Sequence, residues 1–418
     1  MTACLRTAHT KGGKGGFKDT AAADLLHGAF VSLLERSKLD PALVEDIAVG
    51  SVLPPGGGAT EFRAAALAAG FPESTAVHSL NRQCSSGLQA CVEIANAIKA
   101  GLIDIGVGAG VESMSSQYGY VTSHPCPSPR FPKFPPFYPR NNLTRPPLTT
   151  RCSPGAVTEF SPLLENNRAA AECKVPMGVL SENMAKDRNV PRSKQDAFAA
   201  ASYGKAIAAQ KAGLFDEEIA PLKVKFTDPK TDEEKEITVA RDDGVREGMT
   251  PESLGKIRPA FSKDGSIHAG NASQISDGAA AVLLMKRSTA ERLGQQILGK
   301  YVAASIVGVA PLLMGIGPWK AIPVALEKAG IAKEDVDIFE INEAFASQCV
   351  WCIEELGLDQ AKVNPKGGAI AFGHPLGATG ARQVSTLLYE LRRTKKQIGV
   401  TSMCVGTGMG MAAVWVAE

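Results

Sequence analysis

At 418 residues the chain is too long for one ordinary core, and two or three domains are expected. Lys plus Arg number 45 against 43 Asp plus Glu, so charge gives no argument for nucleic acid or membrane partners. No apolar run approaches the roughly 18–20 residues that cross a bilayer, the opening MTACLRTAHTKGG has no secretory apolar region, and nine scattered cysteines fit a reducing compartment better than a disulfide framework.

In chain order, 20–37 reads as an amphipathic helix and EDIAVGSVL (45–53) as a buried strand. Residues 84–100 read as helix, and IDIGVGAGVES (103–113) as a strand running into a Gly-rich turn. Ala-rich helical patterns fill 178–213, EITVARDDGVREG (236–248) is a strand leading to a loop, and DGAAAVLLM (277–285) is a second buried strand. Then come helix 321–330, strand VDIFEIN (336–342), helix 381–395, and the strand and turn IGVTSMCVGTGMG (398–410). Strands alternating with helices predict a parallel sheet in an α/β protein.

One stretch does not belong to this pattern. Residues 120–153 hold nine prolines among 34 residues, five Lys or Arg and no acid, and no hydrophobic period survives. No packed structure is expected there. A Pro-rich recognition segment is one reading. We read it instead as translated intron: Gly119-Tyr120-Val121 can be encoded across GTATGT and Cys152-Ser153 by TGCAGC, which resemble splice edges. A transcript carrying these codons in most copies would overturn that expectation.

The chain also echoes itself. Asp46 lies 38 residues before Cys84 and Asp337 lies 37 before His374. CSSGLQA at 84 parallels HPLGATGA at 374, each with Gly three residues on, a helix, then a strand ending in GVGAG or GTGMG. A duplicated domain accounts for this register. It puts Cys84 and His374 at equivalent helix starts, free to meet across an interface between halves.

That placement bears on chemistry. A helix N-terminus carries about half a positive charge and free N–H groups, both of which favour a thiolate and hold a developing oxyanion. A lone cysteine is still most often a small buried residue, and His374 in GGAIAFGHPLGATGAR is as easily a capping or core histidine. Pro375 suits the first helical position. Cys404 in SMCVGTGMG stands where a strand enters a Gly turn. A second thiol there can serve as acid and base, with Gly406 as a backbone donor. Asn342-Glu343 closes a strand, either facing the cleft of an α/β sheet or capping the next helix. GTGMG lacks dinucleotide spacing and TKGGKGGFKD lacks phosphate-loop spacing. CVWC (349–352) reads as two core thiols rather than zinc ligands, and no metal is expected.

NRQCSSGLQA, AGNASQISDGAAA, NEAFA, GGAIAFGHPLGATGAR and CVGTGMG together resemble the thiolases, in order and at family-like spacing, over 5–119 and 154–418. The resemblance implies a five-layered αβαβα fold of two duplicated halves. The N-terminal half would take 1–115 and 256–286, an inserted loop domain that binds CoA would take 116–255, and the C-terminal half 287–418. It implies thiolysis of 3-ketoacyl-CoA by CoA in fatty-acid β-oxidation, ping-pong through acyl-Cys84. His374 would be the base, Cys404 the acid/base, Asn342 the holder of an oxyanion water, and Cys84 and Gly406 N–H a second oxyanion hole. Ser273, Arg246 and Met177 match CoA contacts, with Arg246 against the adenine. CoA is then a co-substrate, no permanent cofactor is expected, and a homodimer is. Pro176 stands where acetoacetyl-CoA-specific members often have His, which favours the degradative, broader-chain branch. A biosynthetic acetoacetyl-CoA thiolase is the alternative. A poorly folding, non-enzymatic product is another, motivated by the insert and by MTACL replacing the usual longer start. The resemblance implies a peroxisomal location, but no peroxisomal address is visible in the sequence, and a cytoplasmic location is the alternative.

Overall fold

The computed structural model describes residues 1–117 and 160–418. The Pro-rich stretch 120–153 lies outside the described residues.

The first sheet holds β1 (Ala3–Arg6), β2 (Thr10–Lys11), β3 (Asp46–Gly50), β4 (Ala76–Leu80), β5 (Ile105–Ser113) and β8 (Ser276–Met285), in the order β1-β8-β5-β3-β4, with β2 also on β8. A hairpin, β6 (Leu222–Thr227) with β7 (Glu234–Val239), stands apart. The second sheet is β10 (Ile338–Ile341), β11 (Ile398–Val405), β12 (Met409–Ala417) and β9 (Gly299–Gly308), in the order β10-β11-β12-β9. The longer helices are α1 (Ala22–Ser37), α2 (Ala59–Ala68), α3 (Ser86–Lys99), α4 (Met177–Asp187), α5 (Arg192–Lys211), α6 (Gly317–Ala329), α7 (Ala346–Leu356) and α8 (Leu376–Arg393).

The duplication is visible strand for strand. β3 pairs β5 in parallel as β10 pairs β11 in parallel, each pair linked through a helix, α3 or α8. β8 then runs antiparallel to β5 as β12 runs antiparallel to β11, and β1 and β9 close the series. Helices α3 and α8 lie side by side between the sheets, α1 covers the outer face of the first sheet and α6 that of the second. The stack is α, β, α, β, α.

The expectation of a wholly parallel sheet is corrected: both sheets are mixed. The turn from β11 into β12 is only Gly406–Gly408, and so short a link can join only antiparallel neighbours. β12, β9, β4 and β1 were not read from sequence. MGMAAVWVA has no polar alternation, because β12 is covered on both faces.

The middle layer explains the glycines of β5. A Cβ at Gly108 would meet the Cys91 Cα at 2.5 Å, and one at Gly106 would meet the Ile94 Cγ2 at 2.8 Å. Alternate glycines thus strip one face of β5 and let α3 and α8 lie on its backbone. α8 is buried nearly all round, as expected of a helix between two sheets. Burying Val384, Leu387, Leu388 and Leu391 gives about 1.5–3 kcal/mol each.

Candidate active site

Cys84 sits in a tight turn between β4 and α3, two residues before the first helical residue, Ser86. The helix expected from residue 84 therefore starts later. The reason is the turn: Gln83 has φ +50° and its N–H donates to the Asn81 Oδ1 at 2.8 Å, while the Ser85 and Ser86 N–H groups close back on the Arg82 and Gln83 carbonyls. A non-glycine residue held in the left-handed region costs of order 1–3 kcal/mol and is a mark of functional sites. The turn presents the Cys84 sulfur to the N–H groups of Gly406 and of Cys84 itself. Burial pushes the thiol up to about 11, those two donors oppose the shift, and Glu112 adds to it.

His374 precedes α8. Pro375 is the residue before the helix rather than its first member, because its ψ of 100° is not helical. The His374 Nδ1 is 2.6 Å from the Thr379 Oγ1, whose own hydrogen goes to the Pro375 carbonyl at 3.0 Å. Nδ1 is therefore the protonated nitrogen and donates to Thr379. That leaves Nε2 as acceptor, 3.3 Å from the Asn342 Nδ2. Burial, aided by the Arg382 guanidinium, holds His374 down to about 3, so the ring is neutral at physiological pH.

Asn342 does not cap a helix. Its N–H continues the β10–β11 ladder to the Ser402 carbonyl at 2.9 Å, its side chain turns to His374, and Phe345 precedes α7 instead. Glu343 is also buried, accepting from Ser202 Oγ at 2.7 Å and Asn364 Nδ2 at 2.8 Å. Cys404 is fully buried near the end of β11 and bonds the Gln348 Oε1 at 3.7 Å. Burial raises it well above the ordinary thiol range, and the neighbouring Cys84 sulfur raises it further.

The three residues expected to contact CoA adjoin this centre. Ser273 donates its N–H to the Ala344 carbonyl at 3.0 Å, and the next residue, Gln274, accepts Arg246 Nη2 at 3.2 Å and the His374 N–H at 3.3 Å. Met177 packs half-buried beside the apolar cluster that contains Cys404, Ala344 and Phe345. Cys349 and Cys352 are both buried in α7, and no metal-holding group of three or more His, Cys, Asp or Glu occurs among the described residues.

Sequence reading missed three neighbours: Thr379 behind His374, Gln348 behind Cys404, and Glu112 behind Cys84. Glu112 had a signal, a lone acid at the end of an otherwise apolar strand. Thr379 and Gln348 had none, since nothing local marks a polar residue in a helix as facing a strand end.

Two like halves, joined back to back with a cysteine and a histidine at equivalent helix starts, define the class. The chain matches the thiolase N-terminal domain over residues 1–288 and the thiolase C-terminal domain over 295–417, and it belongs to the thiolase family. Among its relatives, the peroxisomal 3-ketoacyl-CoA thiolase of Yarrowia lipolytica is 56% identical over 100% of this chain and 92% of that protein. Human peroxisomal 3-ketoacyl-CoA thiolase is 49% identical over 98% of this chain and 88% of that protein. The dimeric peroxisomal thiolase of Saccharomyces cerevisiae superposes with a TM-score of 0.86 at 47% identity, covering 100% of this chain and 97% of that one. A second structure of the yeast enzyme, described as five-layered and built from two core domains of identical topology, is 42% identical with a TM-score of 0.76 over 100% and 97% of the two chains. The five-layered fold expected from sequence is thereby borne out.

Proposed function

We propose that this chain cleaves 3-ketoacyl-CoA with CoA, giving acetyl-CoA and an acyl-CoA shortened by two carbons, as a peroxisomal homodimer of fatty-acid β-oxidation. Relatives of that name at about half identity or more support the reaction and the compartment, and the dimeric yeast enzyme supports the assembly. A human mitochondrial relative, 33% identical, has been solved with CoA, which supports CoA as co-substrate here. Residues 116–255 act as an inserted loop domain on the two halves, and Ser273, Arg246 and Met177 contact the CoA.

One observation supports the mechanism: the helix starts that follow Cys84 and His374 touch backbone to backbone at Gly87 and Gly377, and burial leaves the thiol protonated and the imidazole neutral, with the N–H groups of Cys84 and Gly406 as donors to the sulfur. His374 Nε2 takes the Cys84 proton as the sulfur attacks the 3-keto carbon. The oxygen of that carbon becomes negative and is held by the N–H groups of Cys84 and Gly406. The bond between C2 and C3 breaks, its electron pair passes to the acetyl-CoA enolate, and the Cys404 S–H protonates C2. The thioester oxygen of that enolate is held by His374 and a water positioned by Asn342. In the second half-reaction the Cys404 thiolate takes the proton of incoming CoA, whose sulfur attacks acyl-Cys84. The thiolate of Cys84 leaves and regains its proton from His374. No metal is needed at any step.

The test is CoA-dependent loss of acetoacetyl-CoA and of a long-chain 3-ketoacyl-CoA by the purified chain. Turnover of both is expected. Turnover of the short substrate alone would make the enzyme biosynthetic. A Cys84→Ser protein with full thiolysis would overturn the mechanism.

A further inference from the structure

Glu112, at the end of β5, is fully buried and no cation pairs with it among the described residues. Its Oε2 accepts the N–H of Val52 at 3.1 Å and of Gly377 at 2.9 Å. Its Oε1 accepts the N–H of Leu53 at 3.0 Å and, at 3.3 Å, shares the Ser51 hydroxyl hydrogen with the Val111 carbonyl 2.8 Å from that hydroxyl. A carboxylate held this way is expensive to bury, and a neutral side chain of similar shape would pack there at less cost. What the carboxylate does that a neutral group cannot is accept on both oxygens at once. Oε1 holds only the loop that leaves β3 in the first half, whereas Oε2 joins that loop, through Val52, to the first turn of α8 in the second half, through Gly377, three residues after His374.

The surroundings fit a joint. A Cβ at Gly377 would lie 2.6 Å from the Gly50 carbonyl oxygen and 2.7 Å from that of Val111. The backbone of α8 therefore rests directly on the strand ends, at the point the carboxylate pins.

We infer that Glu112 is a positioning residue for the reaction: its carboxylate ties the first turn of α8, and so His374, to the strand ends of the half that carries Cys84. The inference rests on the proposed roles of Cys84 and His374.

Burial holds the Glu112 carboxyl up to about 7, against the pull of its four donors. Below that pH a proton occupies one oxygen, an acceptor is lost, and the tie loosens. The titratable group facing Glu112 is the Cys84 thiol, whose negative form Glu112 disfavours. His374, held down to about 3, cannot supply an acid limb near 7. Asp277 and Glu340 are likewise pushed up to about 7, so the variant must separate them from Glu112.

The experiment compares kcat, KM and the pH profile of kcat/KM for the full chain and Glu112→Gln. Gln presents one oxygen and one NH2, which meets either Gly377 and Val52 or Leu53 and Ser51 as a donor against donors. The expected result is a roughly 10²-fold fall in kcat with KM little changed, since a misplacement of about 1 Å is worth that much. The acid limb near pH 7 should vanish, and alkylation of Cys84 should begin at lower pH. A wild-type kcat with the limb intact assigns it to Asp277 or Glu340 and overturns the inference, as does a loss of thermal stability with an unchanged profile. Should Glu112→Gln fail to fold, Ser51→Ala decides. It removes one donor, raises the carboxyl further and should move the acid limb upward; an unmoved limb overturns the inference. Cys84→Ser, assayed alongside, keeps the two ideas apart. If it retains thiolysis the site reading fails, whereas a dead Cys84→Ser with an unaltered Glu112→Gln sinks this inference alone.

Discussion

Gly87 and Gly377, each three residues beyond its reactive side chain, touch backbone to backbone: a Cβ on Gly87 would fall inside the Gly377 carbonyl oxygen and 2.9 Å from the Ala381 nitrogen. They are equivalent positions in the two halves. The local symmetry axis of the duplicated fold therefore passes between the starts of α3 and α8, the helices that Cys84 and His374 precede.

That contact predicts the first outcome. Gly377→Ala must push α8 away from the Gly50 carbonyl, 2.6 Å from the added methyl, and backbone there cannot rotate aside. Overpacking of this kind costs about 1–3 kcal/mol. Thermal unfolding should shift down accordingly, and kcat should fall by about 10²-fold because the shift moves His374. Gly204, where a Cβ meets nothing within 4 Å, is the control: Gly204→Ala should leave both unchanged.

The second prediction concerns protonation. A preformed thiolate–imidazolium pair would make Cys84 reactive toward iodoacetamide well below neutral pH. Here the thiol is pushed up to about 11 and the imidazole down to about 3, both mainly by burial, so the resting pair is neutral. Alkylation should rise about tenfold per pH unit from 7 to 10, following the thiolate fraction. A plateau reached below pH 8 would contradict it. The same burial of His374 carries a stability consequence. Its folded pKa lies below the unfolded value of 6.5, so the unfolded state binds more protons and this site destabilises the fold as pH falls from about 6.5 toward 3. His374→Gln should flatten that part of the stability profile.

Thr379 gives the third. Thr379→Val keeps the shape but removes the acceptor of the Nδ1 hydrogen, 2.6 Å away, leaving a buried donor unpaired or forcing the other tautomer. With the proton on Nε2 the ring cannot accept from Cys84. A fall of roughly 10–10²-fold in kcat/KM is expected, in the range of losses when a supporting partner of a functional histidine is removed. Thr379→Ser should restore most of it. Equal activity in the Val and Ser proteins would refute the tautomer assignment.

How far the sequence carried this reading depends on where each signal resides. The β–α–β repeat was legible because glycine spacing after Cys84 and His374 is local and survives in both copies. The five motifs were legible for the same reason. The mixed direction of the sheets was not, since β8 returns to pair β5 from more than 160 residues downstream and no local pattern encodes direction. For Asn342 the local pattern left two readings open, facing the cleft or capping the next helix. The residue types at 342 and 343 suit a helix cap, and only the pairing of Asn342 N–H with Ser402, across sixty residues, turns the side chain to His374 instead. Tertiary pairing decided between them.

The last prediction tests Cys404. Its thiol hydrogen points to the Gln348 Oε1 at 3.7 Å, and Gln348 in turn donates from Nε2 to the Cys349 sulfur at 3.4 Å. A side chain anchored at both ends of its amide fixes the direction of a weak S–H donor that would otherwise rotate. Gln348→Leu keeps the volume and removes that guide. In the proposed mechanism Cys404 is the acid of the first half-reaction and the base of the second, so both should slow. We expect about a tenfold loss in thiolysis, within the 10²–10⁴-fold that a positioned acid or base contributes. Exchange of the C2 hydrogens of acetyl-CoA into deuterated water needs only the Cys404 step and should slow by the same factor. Acylation of Cys84 by a simple activated thioester does not use Cys404 and should keep its wild-type rate. Loss of all three together would place the damage in the fold rather than in the second thiol.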